Sequence, residues 1–185
     1  NVIVLGSGTG LVTGGFSATG ARLGTAALLQ TSGTARLTAL STPMAAPRVG
    51  HAVAPCKFAD GDGAILFGGL GSDTGEVAER LVGQSFSAYA LGVPNRDFAA
   101  ATALPDGSVL ITGGVSSTGT ESSAIHVVPV NPPLVTVIDN LLSVPRERHT
   151  VTLVGDDVLI CGGDDNAGTV HASCDLVTGG TLQRK

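Results

Sequence analysis

Four glycine pairs divide this chain at near-regular intervals, and each closes a short apolar run: Leu11-Val12-Thr13-Gly14-Gly15, Ile65-Leu66-Phe67-Gly68-Gly69, Leu110-Ile111-Thr112-Gly113-Gly114 and Leu159-Ile160-Cys161-Gly162-Gly163. Gly14 to Gly68 is 54 residues, Gly68 to Gly113 is 45 and Gly113 to Gly162 is 49. A repeat of that period implies one supersecondary unit stacked several times, because a single unit cannot bury its own apolar face. A second marker precedes three of the pairs, where Met44, Leu91 and Leu142 each stand three residues before Pro47, Pro94 and Pro145. Arginine follows each proline, as Arg48, Arg96 and Arg146, and three residues later come His51, Ala99 and His149.

Within a unit the segments are short, rich in Val, Ile, Leu and Thr, and bounded by turns such as Asp60-Gly61-Asp62-Gly63, Pro105-Asp106-Gly107 and Gly155-Asp156-Asp157. That pattern predicts β-hairpins, and nothing in the chain sustains helical periodicity beyond about two turns. After each Gly-Gly a polar loop leads to a third strand, such as Ala124 to Val130, and then a fourth, such as Leu134 to Ile138. The expectation is an all-β chain of four units, approximately 1–43, 44–90, 91–141 and 142–185, each of four antiparallel strands, with the glycine pairs ending second strands and the prolines preceding first strands.

Composition narrows the function classes. Ten Lys plus Arg against 15 Asp plus Glu give a net charge of −5, and six aromatics offer no stacking platform, so a nucleic-acid partner is not expected. The longest apolar runs are five or six residues, far short of the roughly 20 needed for a membrane-spanning helix. Ser, Thr, Gly and Ala richness with only Lys57 and Lys185 as lysines fits an extracellular or cell-surface protein. Of three cysteines, Cys161 and Cys174 flank a polar loop whose midpoint is Ala167-Gly168, and the spacing predicts a disulfide across the second and third strands of the fourth unit, leaving Cys56 free or paired outside the chain.

The pattern Pro-Arg-x-x-His, Asp-Gly-x-Val-Leu and Gly-Gly resembles the kelch repeat, the β-propeller unit of bacterial kelch proteins and galactose oxidase-like propellers. Asp106-Gly107-Ser108-Val109-Leu110-Ile111-Thr112-Gly113-Gly114 is the most family-like stretch, and Asp175-Leu176-Val177-Thr178-Gly179 resembles the turn that links kelch strands three and four. The resemblance implies a kelch-type propeller of about four blades within a larger ring, whose further blades come from the same or another chain. Family blades usually carry Tyr and Trp between blades; this chain has no Trp and only Tyr89, so Leu37, Phe86 and Leu182 are expected to fill those places.

Candidate sites are sparse. Arg48, Arg96 and Arg146 recur at one position, which points to a scaffold role with the guanidinium donors on loop carbonyls between blades; the functional alternative is an anion-binding ring at the channel mouth. His51 and His149 share that logic, but Ala99 in the third unit excludes a three-histidine site built by repetition. Asp164, Asp165 and Asn166 are a weak calcium candidate without the spacing of a full calcium loop. Val2 to Gly10 resembles a dinucleotide turn, but its third glycine would fall at Leu11 and Gly14-Gly15 would break the helix that such a site needs. Ser72-Asp73-Thr74-Gly75 only faintly resembles a sialidase Asp-box. A galactose oxidase-like copper site needs two tyrosines, and no hydrolytic motif is present, so no cofactor is expected. The reading is a non-catalytic binding or structural module with a protein or glycan partner; the alternative is the propeller part of a sugar-processing enzyme whose catalytic residues lie outside this chain.

Overall fold

In the computed structural model, residues 1–6, 8–30, 32–71 and 78–185 are described. They contain no helix and form four antiparallel four-stranded sheets arranged as a four-bladed β-propeller. Blade 1 is β1 (Val2–Gly6), β2 (Thr9–Thr13), β3 (Ala26–Gln30) and β4 (Arg36–Ala39). Blade 2 is β5 (Ala52–Phe58), β6 (Gly61–Phe67), β7 (Ala78–Val82) and β8 (Ser85–Ala88). Blade 3 is β9 (Ala100–Ala103), β10 (Val109–Thr112), β13 (Ala124–Val128) and β14 (Leu134–Ile138), with a small hairpin of β11 (Val115–Ser116) and β12 (Gly119–Thr120) inserted after β10. Blade 4 is β15 (Thr150–Val154), β16 (Asp157–Cys161), β17 (Cys174–Thr178) and β18 (Gln183–Arg184).

All four glycine pairs follow second strands, and Pro47, Pro94 and Pro145 lie shortly before the first strands of blades 2, 3 and 4. Val2 to Leu5 leads into the antiparallel strand β2 rather than a helix, so the glycines between them serve a hairpin. The Ser72–Gly75 stretch lies outside the described residues.

Side-chain alternation divides every blade into two faces. The residues one and three places before a Gly-Gly pair face the next blade, and those two and four places before it face the previous one. Leu11 of blade 1 thus shares a buried cluster with Val53, Ala64, Leu66 and Leu81 of blade 2. Ile65 and Phe67 of blade 2 meet Val109, Ile111, Ile125 and Val127 of blade 3, and Leu110 of blade 3 meets Val158, Ile160 and Val177 of blade 4. Each such side chain stabilises by roughly 1.5–3 kcal/mol on full burial, so aliphatic packing at three junctions carries the fold without tryptophan.

Strands β6 and β10 are buried on both faces over their Gly-Gly ends, whereas β16 alternates buried and half-buried residues, as a sheet packed on one side does. Among the described residues no buried cluster or hydrogen bond joins blade 4 to blade 1. Leu37 therefore does not fill an interblade aromatic position: it is 63% exposed on the outward face of blade 1, where no blade covers it. Phe86 and Leu182 do pack against interblade clusters, and Tyr89 is buried edge-on to Phe58.

Candidate functional site

The junctions reuse one backbone device. The second glycine of the first three pairs donates its N–H to the arginine carbonyl of the following blade: Gly15 to Arg48 at 3.2 Å, Gly69 to Arg96 at 3.2 Å and Gly114 to Arg146 at 2.9 Å. The first glycine leaves room for that carbonyl, since a Cβ on Gly14, Gly68 or Gly113 would stand 2.3, 2.2 or 2.2 Å from it. Positive φ at all of these glycines adds the second reason for the residue type.

The arginine side chains turn inward. Arg48 Nη1 donates to Gly68 O at 3.1 Å, Arg96 Nη1 to Ser123 O at 3.1 Å and Arg146 Nη1 to Gly162 O at 2.8 Å, so each guanidinium clamps the glycine turn or third strand of its own blade. This corrects the expectation of bonds between blades: the backbone carbonyl makes the interblade bond and the side chain the intrablade one. Arg48 and Arg146 are fully buried and paired with Glu79 at 2.6 Å and Asp175 at 3.3 Å; Arg96 instead meets the Ser123 hydroxyl at 3.0 Å. Burial lowers the pKa of Arg48 and Arg96, opposed in each case by nearby carboxylates. This burial supports the scaffold role of the three arginines.

The two histidines that recur after the arginines, His51 and His149, are also junction residues. His51 Nε2 bonds the Thr13 hydroxyl at 2.8 Å, and His149 Nε2 bonds that of Thr112 at 2.7 Å. Both threonines directly precede a Gly-Gly pair on the previous blade. Where that position is Phe67, the following blade carries Ala99, so the exception in the repeat is a size exchange at the same contact. Burial drives the His51 pKa down to about 3, helped by the N-terminal ammonium and Arg48, and that of His149 to about 4, helped by Arg146. Both are neutral at pH 7. They line a central channel of about 470 Å³ with the first strands of all four blades, and among the described residues their Nδ1 atoms have no hydrogen-bond partner.

The acidic loop of blade 4 spends its oxygens internally. Asp164 binds Arg148 at 3.1 Å, Asp165 Oδ1 accepts from the N–H groups of Ala167 at 3.0 Å and Thr169 at 2.8 Å, and the N–H of Asn166 donates to Thr120. The structure gathers no group of three or more His, Cys, Asp or Glu at ligating distance among the described residues. Cys161 and Cys174 are directly opposed in register and bridged, with Cα atoms 4.2 Å apart, while Cys56 is free and its thiol pKa is raised by burial to about 12.

A larger cleft, about 860 Å³, opens between blades 2 and 3 at the end remote from the glycine pairs. Three hairpin turns frame it: Phe58 to Asp60, Pro105 to Gly107 and Val128 to Asn131. Tyr89 holds the third turn by donating its hydroxyl to Val130 O at 2.6 Å. On the blade 2 side of the cleft Arg80 lies over the Phe58 ring, 5.3 Å from its centroid, with Nη1 and Nη2 on the two carboxylate oxygens of Asp60 at 3.2 and 3.1 Å. Asp106 accepts from the Ser108 N–H and hydroxyl, which lower its pKa. Sequence reading did not identify this site, because its residues come from turns that are ordinary one at a time and adjacent only after two blades pack. No protein-family model matches the chain, and no curated protein matches it.

Proposed function

We propose that the chain is a kelch-type propeller module of a secreted or surface protein, and that it binds a neutral glycan in the cleft between blades 2 and 3. The observation that carries this reading is that a largely apolar cleft holds a charge-balanced set of polar side chains. Lys57 and Arg80 are offset by Asp60 and Asp106, so the lining carries no net charge. The Arg80–Asp60 pair nevertheless presents donors and acceptors side by side, the requirement for sugar hydroxyls, which both give and take hydrogen bonds. An anionic ligand would have to displace Asp60 from Arg80. The Pro-Arg, Asp-Gly and Gly-Gly pattern supports the kelch assignment, and the Cys161–Cys174 disulfide is compatible with an oxidising compartment.

Calorimetric titration with neutral and acidic oligosaccharides tests the reading. Binding of a neutral oligosaccharide that weakens at least tenfold in Arg80→Ala, without a loss of melting temperature beyond that of a surface change, is the expected result. Preference for acidic sugars, or equal binding by Arg80→Ala, refutes it.

A further inference from the structure

One register position on the third strand sets what blades 2 and 3 can reach. Three residues before each Gly-Gly pair stands an apolar second-strand residue, and its third-strand partner is Leu28 in blade 1, Arg80 in blade 2, His126 in blade 3 and Leu176 in blade 4. The two polar members both run to the aspartate of their own blade's first hairpin turn. Arg80 meets Asp60 directly, at 3.1 and 3.2 Å. His126 meets Asp106 through one serine: its Nε2 lies 2.8 Å from the Ser108 hydroxyl oxygen, which lies 2.6 Å from Asp106 Oδ1. Arg80, Asp60 and Asp106 line the cleft between blades 2 and 3. His126 shares the face of Leu110, which packs toward blade 4, so it stands behind Asp106 rather than in the cleft.

Proton accounting fixes the direction of this relay. A carboxylate is an acceptor only, so the single hydroxyl proton of Ser108 lies in the short bond to Asp106. The Ser108 oxygen must then accept from His126, whose Nε2 carries the proton in the neutral ring. Ser108 is 2% exposed, so water has little access to replace that donor. Both Ser108 donors, its N–H at 2.9 Å and its hydroxyl, fall on Oδ1, which leaves Oδ2 of Asp106 as the acceptor offered to a ligand hydroxyl. Building on the neutral-glycan site above, we propose that His126 is a positioning residue for it: through Ser108 it fixes the Asp106 carboxylate at the blade 3 wall of the cleft, as Arg80 fixes Asp60 at the blade 2 wall. Without His126 the buried Ser108 oxygen has no donor, and the serine hydroxyl is free to turn from Asp106.

NMR and calorimetric titration test this separately. Leucine is the residue that blades 1 and 4 carry at this register, so His126→Leu should keep the fold, as unchanged circular dichroism would verify. In the wild type a slowly exchanging His126 Nε2–H resonance is expected, and it should be lost in Ser108→Ala. The Asp106 carboxyl, followed by its carbon-13 shift against pH, should titrate higher in His126→Leu and in Ser108→Ala than in the wild type. In calorimetric titration with gluco-, manno- and galacto-oligosaccharides, His126→Leu should weaken binding of the sugar that the wild type takes by about fivefold, the loss expected of one hydrogen bond. His126→Gln, whose amide nitrogen stands near the place of Nε2 and also donates, should restore binding to within about twofold. An unchanged Asp106 titration in His126→Leu overturns the proposal whether or not a sugar binds, and so does equal sugar binding by His126→Leu and the wild type. A wild type that binds none of these sugars refutes the glycan site itself, and takes the ligand role of His126 with it.

Discussion

Replacing Gly113 and Gly162 by alanine separates a covered junction from an uncovered one. Both glycines have positive φ, +55° and +72°, so alanine costs roughly 1–2 kcal/mol at either position from backbone strain alone. At Gly113 the new Cβ would lie 2.2 Å from the carbonyl oxygen of Arg146, well inside contact distance, and that oxygen belongs to backbone that cannot rotate away. Blade 4 must then shift, which strains the 2.9 Å bond from Gly114 N–H to Arg146 O and the packing around a buried arginine. A lost interblade hydrogen bond adds about 1 kcal/mol, and misfit packing adds about 1–3 kcal/mol. At Gly162 the nearest atom is His171 O at 4.0 Å, so only the backbone strain applies. Gly113→Ala should therefore lose about 3–6 kcal/mol and Gly162→Ala about 1–2 kcal/mol, read as urea midpoints at constant slope; at about 2–4 °C per kcal/mol the melting temperatures should fall by roughly 14 and 5 °C. Equal losses would refute the assignment of blade 4 as the uncovered end.

Two further outcomes follow from the buried polar groups. Glu79→Ala strands the Arg48 guanidinium and the N–H of Ala45, which Glu79 accepts at 2.8 Å; it should cost about 3–5 kcal/mol in urea denaturation, with much of that recovered in Arg48→Met/Glu79→Leu, and a cost below about 1 kcal/mol would contradict the buried pair. For His51 and His149 the folded pKa values are depressed to about 3 and 4 against 6.5, so the unfolded chain takes protons that the folded chain refuses. Stability is full above pH 6.5 and falls as the pH drops toward 4, by up to about 1.4 kcal/mol per pH unit per histidine; His149→Ala should flatten the urea-midpoint profile between about pH 7 and 5, and an unchanged profile would remove the histidines from the junctions.

Much of this architecture is legible in the sequence because one turn recurs. A Gly-Gly pair must sit where φ is positive and where the next blade's carbonyl approaches, so its spacing marks blade period and second-strand end together. The opposed cysteines were legible for the same reason: Cys161 occupies the place before the pair, which fixes its register against Cys174. The recurrence of the arginines is legible in the sequence, but the direction of their bonds is not, because sequence does not distinguish a side chain that clamps its own blade from one that reaches the next. Leu37 failed as a core residue because its burial depends on whether another blade covers blade 1, and that is not written in residue 37. The blade 2–3 cleft was invisible because Arg80, Asp60, Asp106 and Val130 carry no spacing signal and meet only through packing.

Three consecutive junctions are closed by the same glycine-to-arginine backbone bond. Amide hydrogen exchange measured by NMR on the chain reads those donors individually. Slow exchange is expected at Gly15, Gly69 and Gly114, each bonded to the next blade's arginine carbonyl, and markedly faster exchange at Gly163, whose N–H meets no such carbonyl among the described residues. Fast exchange at any of the first three, with the strands themselves protected, would contradict it.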